Sequence, residues 1–321
     1  MFQARIRTWL WVMQGWFFTD AMCGICGRLN FTAEPVAAEQ VRTMNDRMQH
    51  RGPDEDGFYF SPQKNFGMGI RRLKIIDLST GSQPIFNETR DIAVLLNGEI
   101  YNYIELREDL EKKGHRFATQ SDTETIVHAY EVYGLDFVKH MNGMFGLAIW
   151  DDSKKILIVA RDRMGIKPMY YRCDSSGLSF ASELKSILAD GKCLREIDMT
   201  ALDDYFSLLY IPGPASIFKA IRKLPPAHIM VCDPSKQKLD IRRYWQKPMP
   251  EPAQDKGWEH YRERLDTMFR DALKLQLRSD VPNGVFLSSG LDSGAIAYYA
   301  SQVSATKVKT FTVHFPEQSY S

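Results

Sequence analysis

Cys23 is the residue best placed by its neighbours to act as a nucleophile, because Met22 directly precedes it and Gly24 follows it. If Met22 is the initiator and is removed, Cys23 carries a free α-amine beside its thiol. An α-amine titrates near pH ~8, so at neutral pH a useful minority is unprotonated and can take the thiol proton. Nucleophile and base then share one residue, the logic of terminal-threonine nucleophiles. Gly24 leaves the approach to the sulfur open. Cys26 completes a C-x-x-C with Cys23, a spacing that also suits zinc or a redox pair. A zinc site needs a second ligand pair, and no further C-x-x-C or close Cys/His pair follows at finger-like spacing. A thioredoxin-like motif would open a helix, whereas this one opens a strand over 25–31. The five cysteines, at 23, 26, 173, 193 and 232, are an odd number in an ordinary composition and read as reduced thiols.

A second constellation is Phe286-Leu287-Ser288-Ser289-Gly290-Leu291-Asp292-Ser293. It joins an apolar strand at 284–287 to an apolar helix at 295–300, and a second apolar strand follows at 309–315. Hydroxyls and backbone N–H groups at a helix N-terminus make a cradle for an anion. The loop lacks the Lys of a Walker motif, and a plain Ser/Gly turn is its blander reading. Strand, helix and strand make a βαβ unit, the start of a parallel α/β sheet. One such unit cannot bury both faces of its sheet, so a domain at 258–321 reads as incomplete.

The elements that must hold Cys23 lie between these two constellations. Helices are predicted at 36–49, 104–113 and 123–133, the last capped by Ser121-Asp122 and stopped before Gly134. Strands are predicted at 92–96, 145–150 and 156–161; the last two flank Asp151-Asp152-Ser153-Lys154-Lys155 as a hairpin. The elements do not alternate regularly, so an antiparallel sheet packed by helices fits better than a doubly wound parallel one. Residues 246–257 carry three prolines among polar residues and read as a linker. Beyond them Tyr261, Leu265, Met268, Phe269, Ala272 and Leu273 recur at helical spacing and give one apolar face.

At 321 residues two domains are expected, and 41 Lys plus Arg against 40 Asp plus Glu argue against nucleic acid or an anionic membrane as partner. Residues 1–21 place Arg5 and Arg7 before an apolar run that Gln14 and Gly15 interrupt. That order mimics a signal peptide but is too short to span a bilayer and lacks a cleavage site. The segment reads as an extension, either a propeptide or sequence upstream of the true start at Met22. A cytoplasmic protein is expected, with a homodimer left open.

At Met22-Cys23-Gly24-Ile25-Cys26-Gly27 the chain resembles the amino terminus of class II glutamine amidotransferases, the N-terminal-nucleophile hydrolases. Further blocks recur in order: His50-Arg51-Gly52-Pro53-Asp54, Arg72-Leu73 to Ile76-Asp77, Leu96-Asn97-Gly98-Glu99-Ile100-Tyr101-Asn102 and Ser121-Asp122-Thr123-Glu124. Met141-Asn142-Gly143-Met144-Phe145 and Arg161-Asp162-Arg163 to Lys167-Pro168 continue the series, which is most similar to the asparagine synthetase branch. The resemblance implies an α+β domain at 22–245, an αββα sandwich of antiparallel sheets. It implies hydrolysis of glutamine to glutamate and ammonia through a thioester on Cys23. The oxyanion donors would be the Asn97 side chain and the Gly98 N–H. Arg72 would grip the glutamine carboxylate, Glu99 and Asp122 would hold its ammonium, and the backbone of Leu73, Lys74, Ile75 and Ile76 would line the same pocket. Taken singly, Asn97-Gly98 has the composition of a hairpin turn, Asp122 that of a helix cap, and Arg72 that of a surface charge. The Arg51-Gly52-Pro53-Asp54 run is expected to give structural support.

The later loop resembles the S-G-G-x-D-S loop of ATP pyrophosphatases. This implies an α/β ATP-pyrophosphatase domain in which Leu287, Ser288, Ser289, Gly290, Leu291, Asp292, Ser293 and Val313 contact ATP, with Asp292 on Mg2+. Ser289 departs from the pattern by adding a Cβ where φ is expected to be positive, and Gly294 by removing a hydroxyl. The implied whole reaction activates aspartate, or a related carboxylate, with ATP and displaces AMP with ammonia; this chain alone is expected to release ammonia without completing synthesis. A sugar acid or peptide acceptor is the alternative within the family, and an inactive regulatory or storage protein the alternative outside it.

Overall fold

The computed structural model describes residues 22–32, 34–249 and 255–314. The readings of residues 1–21, of the linker's centre and of Phe315 lie outside the described residues. Contacts divide the chain into a larger unit, Asp20–Gln246, and a smaller one that includes Lys247–Ser321.

In chain order the larger unit forms β1 (Gly24–Asn30), α1 (Ala38–Asp46), β2 (Glu55–Phe60), β3 (Phe66–Arg72), β4 (Ile85–Phe86), β5 (Ile92–Ile100), α2 (Tyr103–Lys112), α3 (Glu124–Tyr133) and α4 (Phe137–His140). It continues with β6 (Gly143–Asp151), β7 (Ile156–Arg161), β8 (Tyr170–Asp174), β9 (Gly177–Ala181), α5 (Leu184–Ile187), α6 (Met199–Leu208), β10 (Arg222–Lys223), β11 (His228–Asp233) and β12 (Lys238–Arg243). Among the described residues these strands make two six-stranded sheets, ordered β10-β8-β9-β1-β3-β2 and β12-β11-β7-β6-β5-β4. Their pairings are antiparallel, as in β1 with β3 and β5 with β6.

Alternation along each strand sorts side chains to two faces. Ile25 and Leu29 from β1, Met68 from β3 and Leu95 from β5 meet between the sheets. There Phe66 stacks on Trp150 with ring centroids 4.5 Å apart, a contact worth about 0.5–1.5 kcal/mol beyond its burial. On the outer face of the first sheet, Cys26 packs with Met44 and Met48 at α1 and with Ile187 of α5. On that of the second, Val94 and Leu96 pack under Leu106, Ile126 and Phe137 from α2, α3 and α4. The result is the expected sandwich of two antiparallel sheets between helical layers.

Local differences have physical causes. The first helix ends at Asp46, short of 49, because Met48 and Gln49 bond back only three residues, to Asn45 and Asp46, on the approach to Pro53. The strand expected at 92–96 runs on to Ile100, since Asn97 and Gly98 pair with Gly146 and Phe145 of β6. Asn97-Gly98 is therefore mid-strand and not a hairpin turn.

The smaller unit contains α7 (Trp258–Gln276), β13 (Gly284–Phe286), α8 (Leu291–Val303) and β14 (Lys309–Phe311). β13 and β14 pair in parallel, Val285 opposite Thr310, as a βαβ unit requires. The apolar face expected on α7 is buried at Leu273, while Leu265 remains 65% and Met268 60% exposed. The described part of this unit has too few elements to cover the whole face. Among the described residues no helix is long and apolar enough to cross a membrane.

Candidate active site

Strand parity aims the two central residues at each other's layer. Cys23 lies two residues before Ile25 and packs, like it, against the core between the sheets. Cys26, three residues on, lies on the opposite face. The two thiols therefore cannot grip one ion or form a local redox pair. On β5, Asn97 shares the inward face of Ala93 and Leu95, and its Nδ2 donates to Ser182 Oγ at 3.2 Å. Ser182 Oγ also accepts the Ile25 N–H at 3.0 Å, so this serine ties the oxyanion candidate to the strand that carries the cysteine. Gly98 has φ +153°, and a Cβ there would lie 2.0 Å from the Met144 carbonyl oxygen. Any side chain at that position must break the β5–β6 pairing.

The Cys23 Sγ accepts the Leu73 N–H at 3.3 Å. Beside it lies a small pocket whose walls include Arg72, Leu73, Ile75, Ile76, Gly98, Glu99 and Asp122. Lys74 is not brought to it: its N–H binds Asp54 Oδ2 at 3.0 Å and its ammonium pairs with Glu55 at 3.5 Å. Asn97 is wholly buried behind the pocket wall rather than lining it. Gln83, Ser121 and Thr123 also line the pocket. Sequence reasoning missed Gln83 and Ser182, which stand outside the blocks of the family pattern.

Arg72 is not a surface charge. Its side chain is 4% exposed and donates to Glu55 Oε2 at 3.0 Å, Ile76 O at 3.1 Å and Asp77 O at 2.8 Å. A guanidinium has five N–H groups, more than these three acceptors occupy. Nor does Asp122 cap α3. Its Oδ2 accepts the Ile100 N–H at 2.8 Å, while Ser121 Oγ accepts the Thr123 N–H at 3.2 Å. The carboxylate is turned toward β5, where Glu99 lies.

Burial and the neighbouring Asp122 raise the Glu99 carboxyl well above its usual range, with Lys167 and Arg72 opposing. Burial also raises Asp122, to about 6, against the hydrogen bonds from Ile100 and Thr123. Two like charges in one pocket resist joint ionisation unless a cation joins them. Burial pushes the Cys23 thiol up to about 11, against the Leu73 N–H, Arg72 and Lys167. Burial lowers Lys167 to about 7, and its Nζ lies 2.7 Å from the Met22 sulfur. From the other side Arg51 Nε holds the Cys23 carbonyl at 3.0 Å and its Nη1 holds Glu183 at 3.1 Å. Gly52 packs so closely on β3 that a Cβ would lie 2.2 Å from the Arg71 carbonyl carbon.

In the smaller unit Leu287 follows β13 and its N–H binds the Phe311 carbonyl at 2.7 Å. Val313 follows β14, so both stand at the carboxyl end of the parallel strands, where α/β sheets bind ligands. Ser288 and Ser293 close the loop between them, Oγ to Oγ at 2.8 Å. No side chain caps α8, whose N-cap is Gly290. Ser289 is not among the non-glycine residues with positive φ, so the strain expected of its Cβ is absent. A Cβ at Gly294 would meet nothing within 4 Å. Leu291 and Asp292 are exposed on the first turn.

Residues 22–245 match the family described as glutamine amidotransferase domain, and residues 264–321 match the family described as asparagine synthase. The chain is 37% identical over 303 residues to asparagine synthetase [glutamine-hydrolyzing] 1 of Bacillus subtilis, covering 94% of this chain and 47% of that protein. It is 34% identical over 316 residues to amidase chry2 of Gibberella zeae, covering 91% and 45%. The chain thus spans about half the length of such relatives. Among solved structures, glutamine phosphoribosylpyrophosphate amidotransferase of B. subtilis aligns with TM-score 0.50 at 16% identity, covering 93% of this chain and 70% of that one. An allosteric regulatory enzyme of purine biosynthesis aligns with TM-score 0.53 at 17% identity, covering 92% and 69%. At such identity these two speak to the fold alone.

Proposed function

The chain belongs to the glutamine amidotransferase domain family, and from that premise we propose that its larger unit hydrolyses glutamine at Cys23. The observation that carries this reading is a pair of carboxylates, the half-buried Glu99 and the buried Asp122, sharing one small pocket with the Cys23 thiol. A free amino acid brings the missing cation as its ammonium and an anion for Arg72, leaving its side-chain amide for the sulfur. With a free α-amine on Cys23, that amine takes the thiol proton and Sγ bonds to the amide carbon. Asn97 Nδ2 has two protons; Ser182 holds one and the other faces the oxyanion, with the Gly98 N–H as second donor. The amine returns the proton as the C–N bond breaks, and ammonia leaves. Water then adds to the thioester, and glutamate and the thiol are restored.

Asn97→Ala should lower kcat by about 100-fold or more with little change in KM, because the lost donor acts on the charge of the transition state. A rise in KM at constant kcat would place Asn97 in substrate binding instead.

Glutamate release from glutamine is the direct test, and its pH dependence is specific. Both carboxyls are raised, so their charged forms are lost as pH falls, and an ammonium binds the charged forms. KM for glutamine should therefore rise below about pH 6, by up to about tenfold per unit for each proton that must leave. A flat KM from pH 7 to 5 would remove the carboxylate pair from substrate recognition.

In the whole protein the ammonia would be consumed by a carboxylate activated with ATP. The loop fits a phosphate group: the uncapped first turn of α8 offers N–H groups, and a Cβ at Gly290 would stand 3.2 Å from Ser288 Oγ. Ser288, Ser289, Gly290 and Ser293 would hold the phosphates, and Asp292 would face Mg2+. Aspartate is the acceptor favoured by the match to asparagine synthase; a related carboxylate is the second reading.

A further inference from the structure

Glu88, His115, His128 and Glu131 come from three segments: the turn between β4 and β5, the connection from α2 to α3, and α3 itself. One ligand atom from each lies within 4.8 Å of all the others. His115 Nδ1 is 3.3 Å from Glu88 Oε1 and 3.7 Å from Glu131 Oε2. His128 Nδ1 is 3.4 Å from Glu88 Oε2 and 3.2 Å from Glu131 Oε2. Ligands at about 2.0–2.1 Å from a tetrahedral zinc ion stand about 3.3–3.4 Å apart. The four spacings lie near that value, with Glu88 meeting His115 through Oε1 and His128 through Oε2.

The outer contacts also suit an ion. The imidazole of His128 is fully buried, and its Nε2 faces the buried Glu124 carboxylate at 3.6 Å. A proton on Nε2 directs the Nδ1 lone pair into the cluster, the arrangement common among metal-bound histidines. Asn87 Nδ2 holds Glu131 Oε1 at 2.9 Å, and the Arg116 N–H holds Glu88 Oε1 at 3.0 Å. Both carboxylates are thus oriented by donors outside the cluster. Glu88 and Glu131 are exposed at its rim, which gives an ion a way in.

We propose that these four side chains form a tetrahedral zinc site that fastens the β4–β5 turn and the α2–α3 connection onto α3. Two imidazole nitrogens with two carboxylate oxygens favour zinc over magnesium or calcium, which take oxygen ligands. The site is independent of the glutaminase reading. Its rival occupant is a proton: burial lowers His128, but Glu124, Glu131 and Glu88 outweigh this and raise it to about 9.

The test treats the full chain with EDTA, reloads it with zinc sulfate, removes the excess, and measures bound metal and its X-ray absorption. The expected result is about one zinc per chain, with a nitrogen and oxygen shell at about 2.0–2.1 Å and no sulfur shell near about 2.3 Å. His115→Ala and Glu88→Gln alter partly exposed residues of connections. Both should lose that zinc, with affinity at least about tenfold weaker, while melting with the wild type in EDTA. An unloaded wild type, equal loading of wild type and variants, or a sulfur shell would each overturn the proposal. In the first case the cluster is an imidazolium held by carboxylates.

Discussion

Cys23→Ala is expected to lower kcat for glutamine hydrolysis by on the order of 10^4-fold or more, the scale of losing a covalent nucleophile. No neighbour can replace the thiol. The Ser121 and Thr123 hydroxyls that share the pocket are engaged, Ser121 by the Thr123 N–H and Thr123 by Gln83 Nε2. Glutamine should still bind, since Arg72, Glu99 and Asp122 keep their places, and calorimetric titration should find the affinity within a few fold of the wild type. The variant should also keep its melting temperature, because the sulfur's hydrogen-bond contacts are confined to Leu73. Glutamate release at the wild-type rate would end the case for Cys23.

The second large effect concerns the bond before Cys23. A chain that begins at Cys23 should hydrolyse glutamine, and one that retains Met22 should be slower by about 1,000-fold or more. With Met22 attached, the Cys23 nitrogen is an amide and cannot accept a proton. The thiol, raised to about 11 by burial, is then ionised in only about one molecule in 10^4 at pH 7. The Met22 side chain is itself buried, its sulfur against Lys167, so its removal also opens space beside the nucleophile. Mass spectrometry of the amino terminus and turnover on the same sample decide the matter. Full activity with Met22 in place would assign the base to another group. A retained Met1 without activity would favour the regulatory or storage reading.

The local pattern of residues was enough for several conclusions. Apolar runs at 25–31 and 92–96 define strands, and parity then places Cys23 and Cys26 on opposite faces, though which face is inward is decided by packing. The order of short blocks carried the larger unit's family and most of the pocket's residues. The roles of those residues depended on partners distant in the chain. Whether Asp122 caps its own helix or reaches Ile100, and whether Arg72 is a surface charge or a buried cation, are settled by the packing of β5 against α3 and of β3 against β2. Lys74 illustrates the limit: its neighbours Leu73 and Ile75 line the pocket while its own ammonium pairs with Glu55. Ser182 and Gln83 have no local signature, and the four residues of the proposed zinc site are scattered from 88 to 131. Local sequence sets backbone period and side-chain parity, because those arise from neighbours along the chain. The acidity of Glu99 and Asp122, the burial of the thiol and the meeting of two histidines with two glutamates arise from groups brought together by folding, and only the tertiary structure decided them.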